Sequence, residues 1–507
     1  MTTESMQAHL RVTGRSSGFG RRLRSRMQRL VIPLLIIALG LIIARGPLAM
    51  SAAMVVGAIG STLLLLHPTL GIYALAFAIP FGSIRQVSIA GISLDATDLL
   101  VAGVATAWMM RMLAGGRLRA ARAPLTGPLL LYIATLSISL LQAEQWVPAV
   151  KELVKWIQAL LVYLFIAGEL GANQRRMLVL VLLIAGSAQG LLGIYQFVRQ
   201  VGPPGFILMG RYMRAHGTFS QPNPYGGYMG LLLPLAYSLM FVLWPRRGSR
   251  NNAASAQHPL LWVLAVASSA IMGAALLMSW SRGALLGLVV GMGWVAAAGA
   301  KRAWPLLASL ILVAALVAPL MSALLPEGLA SRLVDSVAYI GVDIETVEVT
   351  DENFAVIERM AHWIAAWRMF SQSPWLGVGT GQYAVVYASV APSMWEDPLG
   401  HAHNYYLNVL GESGLLSLGT YLLFMLTALI ATWRVAARSH GLDLALALGS
   451  LGMLGHLTAH NAFDNLYVHG MYLLVAMLLS IATWPIDPEF RKKGASASLS
   501  AVDGSSA

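Results

Sequence analysis

No cysteine occurs among the 507 residues, which excludes disulfides, thiolate metal sites and a thiol nucleophile. Charge is nearly as scarce. Asp, Glu, Lys and Arg make up 11% of the chain, against about a quarter in a soluble protein, and mean hydropathy is +0.68. That balance excludes a soluble globular enzyme and implies a protein that lives in a bilayer. Acids are the rarer sign, 22 against 34 Lys and Arg. The net charge of +12 does not describe a nucleic-acid groove, because most cations sit at the termini or in short loops between apolar runs. Examples are "RRLRSRMQR" (21–29), "NQRR" (173–176), "PRRGSR" (245–250) and "RKK" (491–493). This is the cytoplasmic-loop signature of a polytopic membrane protein. Alternating ten-residue segments are also missing, so a β-barrel is not expected.

What is present is a series of apolar runs, each ~17–25 residues where a helix is to cross. They fall near 31–47, 51–66, 70–83, 96–114, 127–142, 150–168, 177–197, 225–244, 260–279, 283–300, 303–324, 405–434, 442–460 and 467–485. The reading is an all-α polytopic membrane protein with about 12–14 transmembrane helices, since only helices satisfy the backbone inside one apolar segment. The run at 31–47 follows a basic stretch but lacks a good cleavage site, so it reads as a retained span. Residues 1–29 form a basic cytoplasmic segment, 30–487 the membrane domain, and 488–507 a disordered cytoplasmic tail rich in Ser and Ala. Counting inward from "RKK" puts every basic loop of the second half on one side and leaves 198–224 and 325–404 as the long external loops. The latter carries ten acids and three Arg. Within it Val356, Met360, Trp363, Ile364, Trp367 and Phe370 recur at helical spacing, which predicts an amphipathic helix on the outer surface, with Arg359 and His362 on another of its faces.

Polar candidates outside the basic loops are few. Arg214 lies in "RYMRAHGTFSQPNPYGGY", with Arg211 and Asn223 nearby, and Arg282 lies in the tight "SWSRGALLG" hairpin. His401, His403 and Asn404 precede the span at 405 in "GHAHNYYLNVLGESG". Each has an ordinary explanation: a boundary Arg reaches for lipid phosphates, and Asn404 caps a helix. The His-x-His pair is half a metal site, but Glu396 and Asp397 are not spaced as its complement, so no metal is expected. "GVGTGQ" (377–382) lacks the Lys and the preceding strand of a phosphate loop and reads as a turn. Taken together, two Arg and a His from distant parts of the chain are expected on one outer face. Arg forks suit a diphosphate, and a His takes a proton from a hydroxyl near neutral pH.

The ordered set "RAHGTFSQPNPYGGY", "SWSRGALLG", "ERMAHWIAAWRMF…PWLGVGTGQY" and "HAHNYYLNVLGESGLLSLGTYL" resembles the O-antigen ligase and polymerase superfamily over about 205–425. The resemblance implies a GT-C-type glycosyltransferase bundle with a large periplasmic loop, in the inner (cytoplasmic) membrane of a bacterium, working without metal or other cofactor. It implies an undecaprenyl-diphosphate-linked glycan as donor, a lipid A-core-type glycolipid or a glycan as acceptor, and an inverting transfer. The family's catalytic His falls on His403 and its diphosphate-binding arginines on Arg214 and Arg282. His401, Asn404, Arg359, Arg211 and Asn223 are supporting candidates, and His216 receives no role. A polymerase of the same superfamily is the alternative, and a transporter of lipid-linked sugar the rival class. Transporters carry ionisable groups near the midplane of repeated halves, whereas here the candidates gather at one face; Lys151, Glu152, Lys155 and His456 are the exceptions.

Overall fold

The computed structural model describes residues 48–82, 87–89, 92–115, 123–208, 210–245, 259–299, 341–350 and 353–483. The spans expected at 31–47 and 303–324, the basic N-terminal segment, residues 325–340 of the long loop and the tail after 488 lie outside them. Two compact units are distinguished, residues up to Pro68 and those from Thr69 onward. Helix α1 (Leu48–Leu66) is the described part of the first.

The second unit is helical almost throughout. It contains α2 (Pro68–Phe81), α3 (Ala96–Ala114), α4 (Thr126–Ser139), α5 (Trp146–Glu169), α6 (Ala172–Arg199), α7 (Pro222–Val242), α8 (Pro259–Ser279) and α9 (Arg282–Ala298). It continues with α10 (Phe354–Gln372), α11 (Tyr383–Val390), α12 (Tyr405–Arg438), α13 (Gly441–His460) and α14 (Met471–Thr483). Six of these helices, α3, α6, α7, α8, α12 and α13, are long and apolar enough to cross a membrane. The chain is therefore an all-α multi-pass membrane protein. Two short antiparallel hairpins, β1–β2 (Val87–Ile89 with Ile92–Leu94) and β3–β4 (Ile207–Leu208 with Tyr212–Met213), are additions that the hydropathy pattern does not announce.

Close packing among α7, α9 and α13 rests on small residues. Gly291 would bring a Cβ within 2.3 Å of the Gly452 carbonyl oxygen, so only hydrogen fits there. Such approach is how helices associate where no water drives them together. At the ends of α5 and α6, Arg175 of "NQRR" is buried and donates from Nε to Leu170 O (3.0 Å) and from Nη2 to Ala167 O (3.1 Å). It satisfies the last carbonyls of α5 as a basic C-terminal cap.

Helix α12 departs from the single run expected at 405–434. It is broken at Gly414 (φ 70°, ψ −173°), and the turn 374–382 supplies what the break removes. Val378 N and Gly379 N donate to Gly411 O and Glu412 O (3.1 and 2.8 Å), while Leu415 N donates to Pro374 O (2.9 Å). The "GVGTGQ" glycines thus form a backbone splint for a kinked helix, as a turn and not a phosphate loop. Gly377 has φ +67° and would place a Cβ 2.3 Å from the Glu412 backbone. Ser139 of α4 donates to Leu376 O and Glu412 O, tying the splint to a neighbouring helix. The pairing of these freed groups is what lets an apolar helix carry the kink.

A helix is found in the stretch read as amphipathic, α10, but it does not bury the expected face: of the six apolar positions only Met360 is buried, and His362 from the other face is buried with it. Its buried face, Ile357, Met360, Ala361, His362, Ala365, Ala366 and Met369, packs on α12 and α11. Tyr383, Val386, Tyr387 and Ala402 complete that core. Trp367 and Phe370 are in tilted ring contact (centroids 5.1 Å, 51°), and Trp367 is exposed.

Candidate active site

Five helix ends converge: the starts of α7, α9 and α12 and the ends of α8 and α13. The alternation of antiparallel spans dictates this, and it brings the distant polar stretches of the sequence to one end of the bundle. Tyr405 N at the start of α12 donates to Asn461 O just past α13 (2.8 Å), and Arg214 reaches Ser279 at the end of α8.

The histidine pair sits on a distorted segment before α12. Leu399, Gly400 and His403 all have positive φ (47°, 86° and 49°). For a non-glycine residue this conformation costs of order 1 kcal/mol and persists only where the surroundings impose it. Asn404 accepts from Leu407 N (3.1 Å) through Oδ1. It caps α12, and the two readings left open for it resolve toward the cap. Asn408 Oδ1 holds Ala402 N (3.0 Å). With both sides of the turn fastened, the His403 ring projects toward the α13–α14 loop.

There it meets Asp464, which sequence reasoning missed. His403 Nδ1 lies 3.5 Å and His401 Nε2 4.0 Å from Asp464 Oδ1. The carboxylate is buried. Burial by itself disfavours its charge, but the contact with His403, together with His401 and His460, outweighs that and holds its pKa below the ordinary carboxylate value. The available signal was topological: "NAFDNL" places one acid in a loop that parity assigns to the same side as His403.

These three residues also form a geometric group of possible metal ligands. The backbone speaks against that use. His403 N donates to His401 Nδ1 (3.1 Å), so in the neutral ring the proton is on Nε2, the atom facing Asp464. Nε2 has no lone pair for a metal until that hydrogen bond breaks. Burial, against the pull of Asp464, lowers the His401 pKa to about 4 and keeps the ring neutral. The His401 ring is thereby oriented by the His403 backbone, and both rings approach Asp464. Asp95 and Asp98, the other spaced acids, cap α3 reciprocally.

The arginines lie on the same platform. Arg214 donates from Nε to Ser279 O (2.9 Å) and from Nη2 to Asn223 Oδ1 (2.9 Å). Burial, and then the positive charges of Arg359 and Arg282, lower its pKa to about 10. The charges of Arg359 and Arg282 are thus felt at Arg214. Arg282 opens α9 and is exposed. Arg359 of α10 donates from Nε to Phe463 O (3.3 Å), beside Asp464, and from Nη1 to Ala355 O (2.7 Å). It links the arginine group to the histidine group. Arg211 stands apart: its guanidinium lies over the Tyr212 ring, 5.3 Å from the centroid, on the β3–β4 hairpin. His216 is on the same segment, edge-on to Phe206.

One helix-end platform thus brings together an imidazole facing a buried carboxylate and the guanidiniums of Arg214 and Arg359. Residues 267–422 match the O-antigen ligase family model (Wzy_C). The match runs from within α8 to within α12, less than half of the chain, and makes this stretch similar to the O-antigen ligase family. It contains Arg282, Arg359, His362, His401, His403 and Asn404. Arg214, Asn223 and Asp464 lie outside it. No curated protein matches the chain.

Proposed function

We propose that this protein transfers a glycan from an undecaprenyl-diphosphate donor to a glycolipid acceptor of lipid A-core type, or to a glycan. The reaction takes place at the periplasmic face of a bacterial inner membrane. His403 is the general base. With Nδ1–H directed to Asp464, its Nε2 is free to accept a proton, and the carboxylate stabilises the imidazolium that forms, the role such a carboxylate plays behind any catalytic His. The acceptor O–H gives its proton to Nε2 and its oxygen attacks the anomeric carbon. The bond from that carbon to the diphosphate breaks, and the electron pair leaves on the phosphate oxygen. Arg214 and Arg282, with Arg359 beside them, hold the diphosphate and take up its growing charge. A single displacement inverts the anomeric configuration, and no step calls for a metal.

The observation that carries this reading is the union on one platform of a His–Asp pair and a guanidinium cluster contributed by distant segments. Purified protein with a defined polyprenyl-diphosphate oligosaccharide tests it. Transfer to an acceptor should proceed in EDTA, and NMR of the product should show the inverted anomer. Retention of configuration, or a strict requirement for added divalent metal, overturns the mechanism. Movement of donor across vesicles without transfer replaces it with transport.

A further inference from the structure

A third histidine, which the mechanism above does not use, faces the base. His362 is buried on α10, its ring stacked on Tyr387 (centroids 4.9 Å, 28°) and edge-on to His403 (5.5 Å, 68°). Its two contacts with Tyr383 bear on its tautomer. The Tyr383 hydroxyl donates to His362 O (3.1 Å), which uses its one proton. With the proton so placed, the hydroxyl oxygen, 3.0 Å from His362 Nδ1, accepts from that nitrogen. Nδ1 therefore carries the hydrogen and Nε2 the lone pair. Both ring nitrogens of His403 are buried without a hydrogen-bond partner. That ring has Asp464 on one side and His362 on another.

We propose that His362 is a positioning residue for His403: a ring locked by Tyr383 with Nε2 unprotonated, which accepts a hydrogen bond from the His403 imidazolium once the acceptor's proton has arrived. No second proton transfer is involved. The acceptor proton stays on His403 Nε2, and the His362 lone pair receives that N–H after a small rotation of the His403 ring. The imidazolium is then held at both nitrogens, by Asp464 and by His362, and its proton is turned away from the newly bonded sugar oxygen.

The surroundings suit a permanently neutral ring. Facing His362 are Tyr383 and Tyr387 from α11, Asp397, His401 and His403 from the following loop, and Glu358 and Arg359 on its own helix. Burial first, then the charges of His403, His401 and Arg359, lowers its pKa to about 4, against the pull of Asp397.

The role in turnover rests on the transferase reading; the hydrogen bond does not, so the two are tested separately. Full-length protein labelled with ¹⁵N-histidine is titrated in nanodiscs with no donor present. The His362 Nε2 signal should stay in the unprotonated range from about pH 8 to 5 and move when His403 takes its proton. The movement should vanish in His403→Gln, and Tyr383→Phe should mix the His362 tautomers. A protonated His362 Nε2 in the wild type, or a signal blind to His403, overturns the proposal whatever reaction the protein performs. In transfer assays His362→Phe keeps a stacking ring but loses the acceptor, and His362→Gln does the reverse. The Phe variant should lose about tenfold in rate at little change in acceptor KM, with Gln retaining more. The opposite order makes His362 a packing residue.

Discussion

His403 and Asp464, on opposite sides of two membrane helices in the sequence, meet at 3.5 Å between Nδ1 and Oδ1. The contact puts Nδ1 of His403 on the side of the carboxylate. His403→Ala should abolish transfer. Asp464→Asn should lower the rate by roughly 10²–10⁴, the range for losing a base or its correct tautomer, with little change in donor binding. Rates on purified variants check this. An Asp464→Asn enzyme of near wild-type rate would reduce the pair to a structural contact.

Arg214 and Arg282 separate a diphosphate clamp from membrane anchoring. An ammonium reaches lipid headgroups as well as a guanidinium does, but it loses the two-pronged fork. Arg214→Lys and Arg282→Lys should each cost about 10²–10³ in rate, with folding retained. Arg214 is fastened to Ser279 O and Asn223, so Asn223→Ala should reproduce part of the Arg214 loss. Transfer rates with a defined lipid-linked donor decide the matter, and full activity in both Lys variants would leave lipid anchoring.

Acid should destabilise the outer face in a defined window. His362 and His401 are held at about 4 when folded, from an ordinary value of 6.5. Between 6.5 and 4 the unfolded chain therefore binds protons that the folded one refuses, so stability falls as pH falls through this interval. Asp464, with its pKa lowered, contributes stability that is fully present above the ordinary carboxylate value of 3.8 and fades only below it. The apparent Tm, followed by tryptophan fluorescence in detergent, should drop by several degrees between about pH 7 and 4.5, and the drop should shrink in His401→Gln. A Tm independent of pH over this range would contradict the buried neutral histidines.

The chain has no cysteine, so single-cysteine labelling reads its topology without background. Glu396, on the loop before His401, and Ala437, near the far end of α12, are both exposed. Glu396→Cys should react with an impermeant maleimide applied to spheroplasts, and Ala437→Cys only after lysis. The reverse pattern would put the site on the cytoplasmic side and remove the periplasmic reading.

The sequence alone determined several of the helices: those at 96–114, 260–279 and 442–460 lie within a residue of α3, α8 and α13. Hydrophobic run length is a local property, and the bilayer leaves a helix as its only outcome. A helix at α10, though not the face it buries, the turn at 377–382 and the approach of Arg214 and Arg282 also followed, because alternating spans fix which loops share a face. The kink at Gly414 did not, since it exists only where the 374–379 backbone arrives to pair the broken helix. Nor could pattern reveal that Asp464 stands behind His403, that Tyr383 locks the His362 ring, or that Arg211 stays with Tyr212 and away from the other arginines. Those depend on which faces α10, α12 and α13 turn toward one another. Packing of side chains across helices decides that, and no local period in the chain records it.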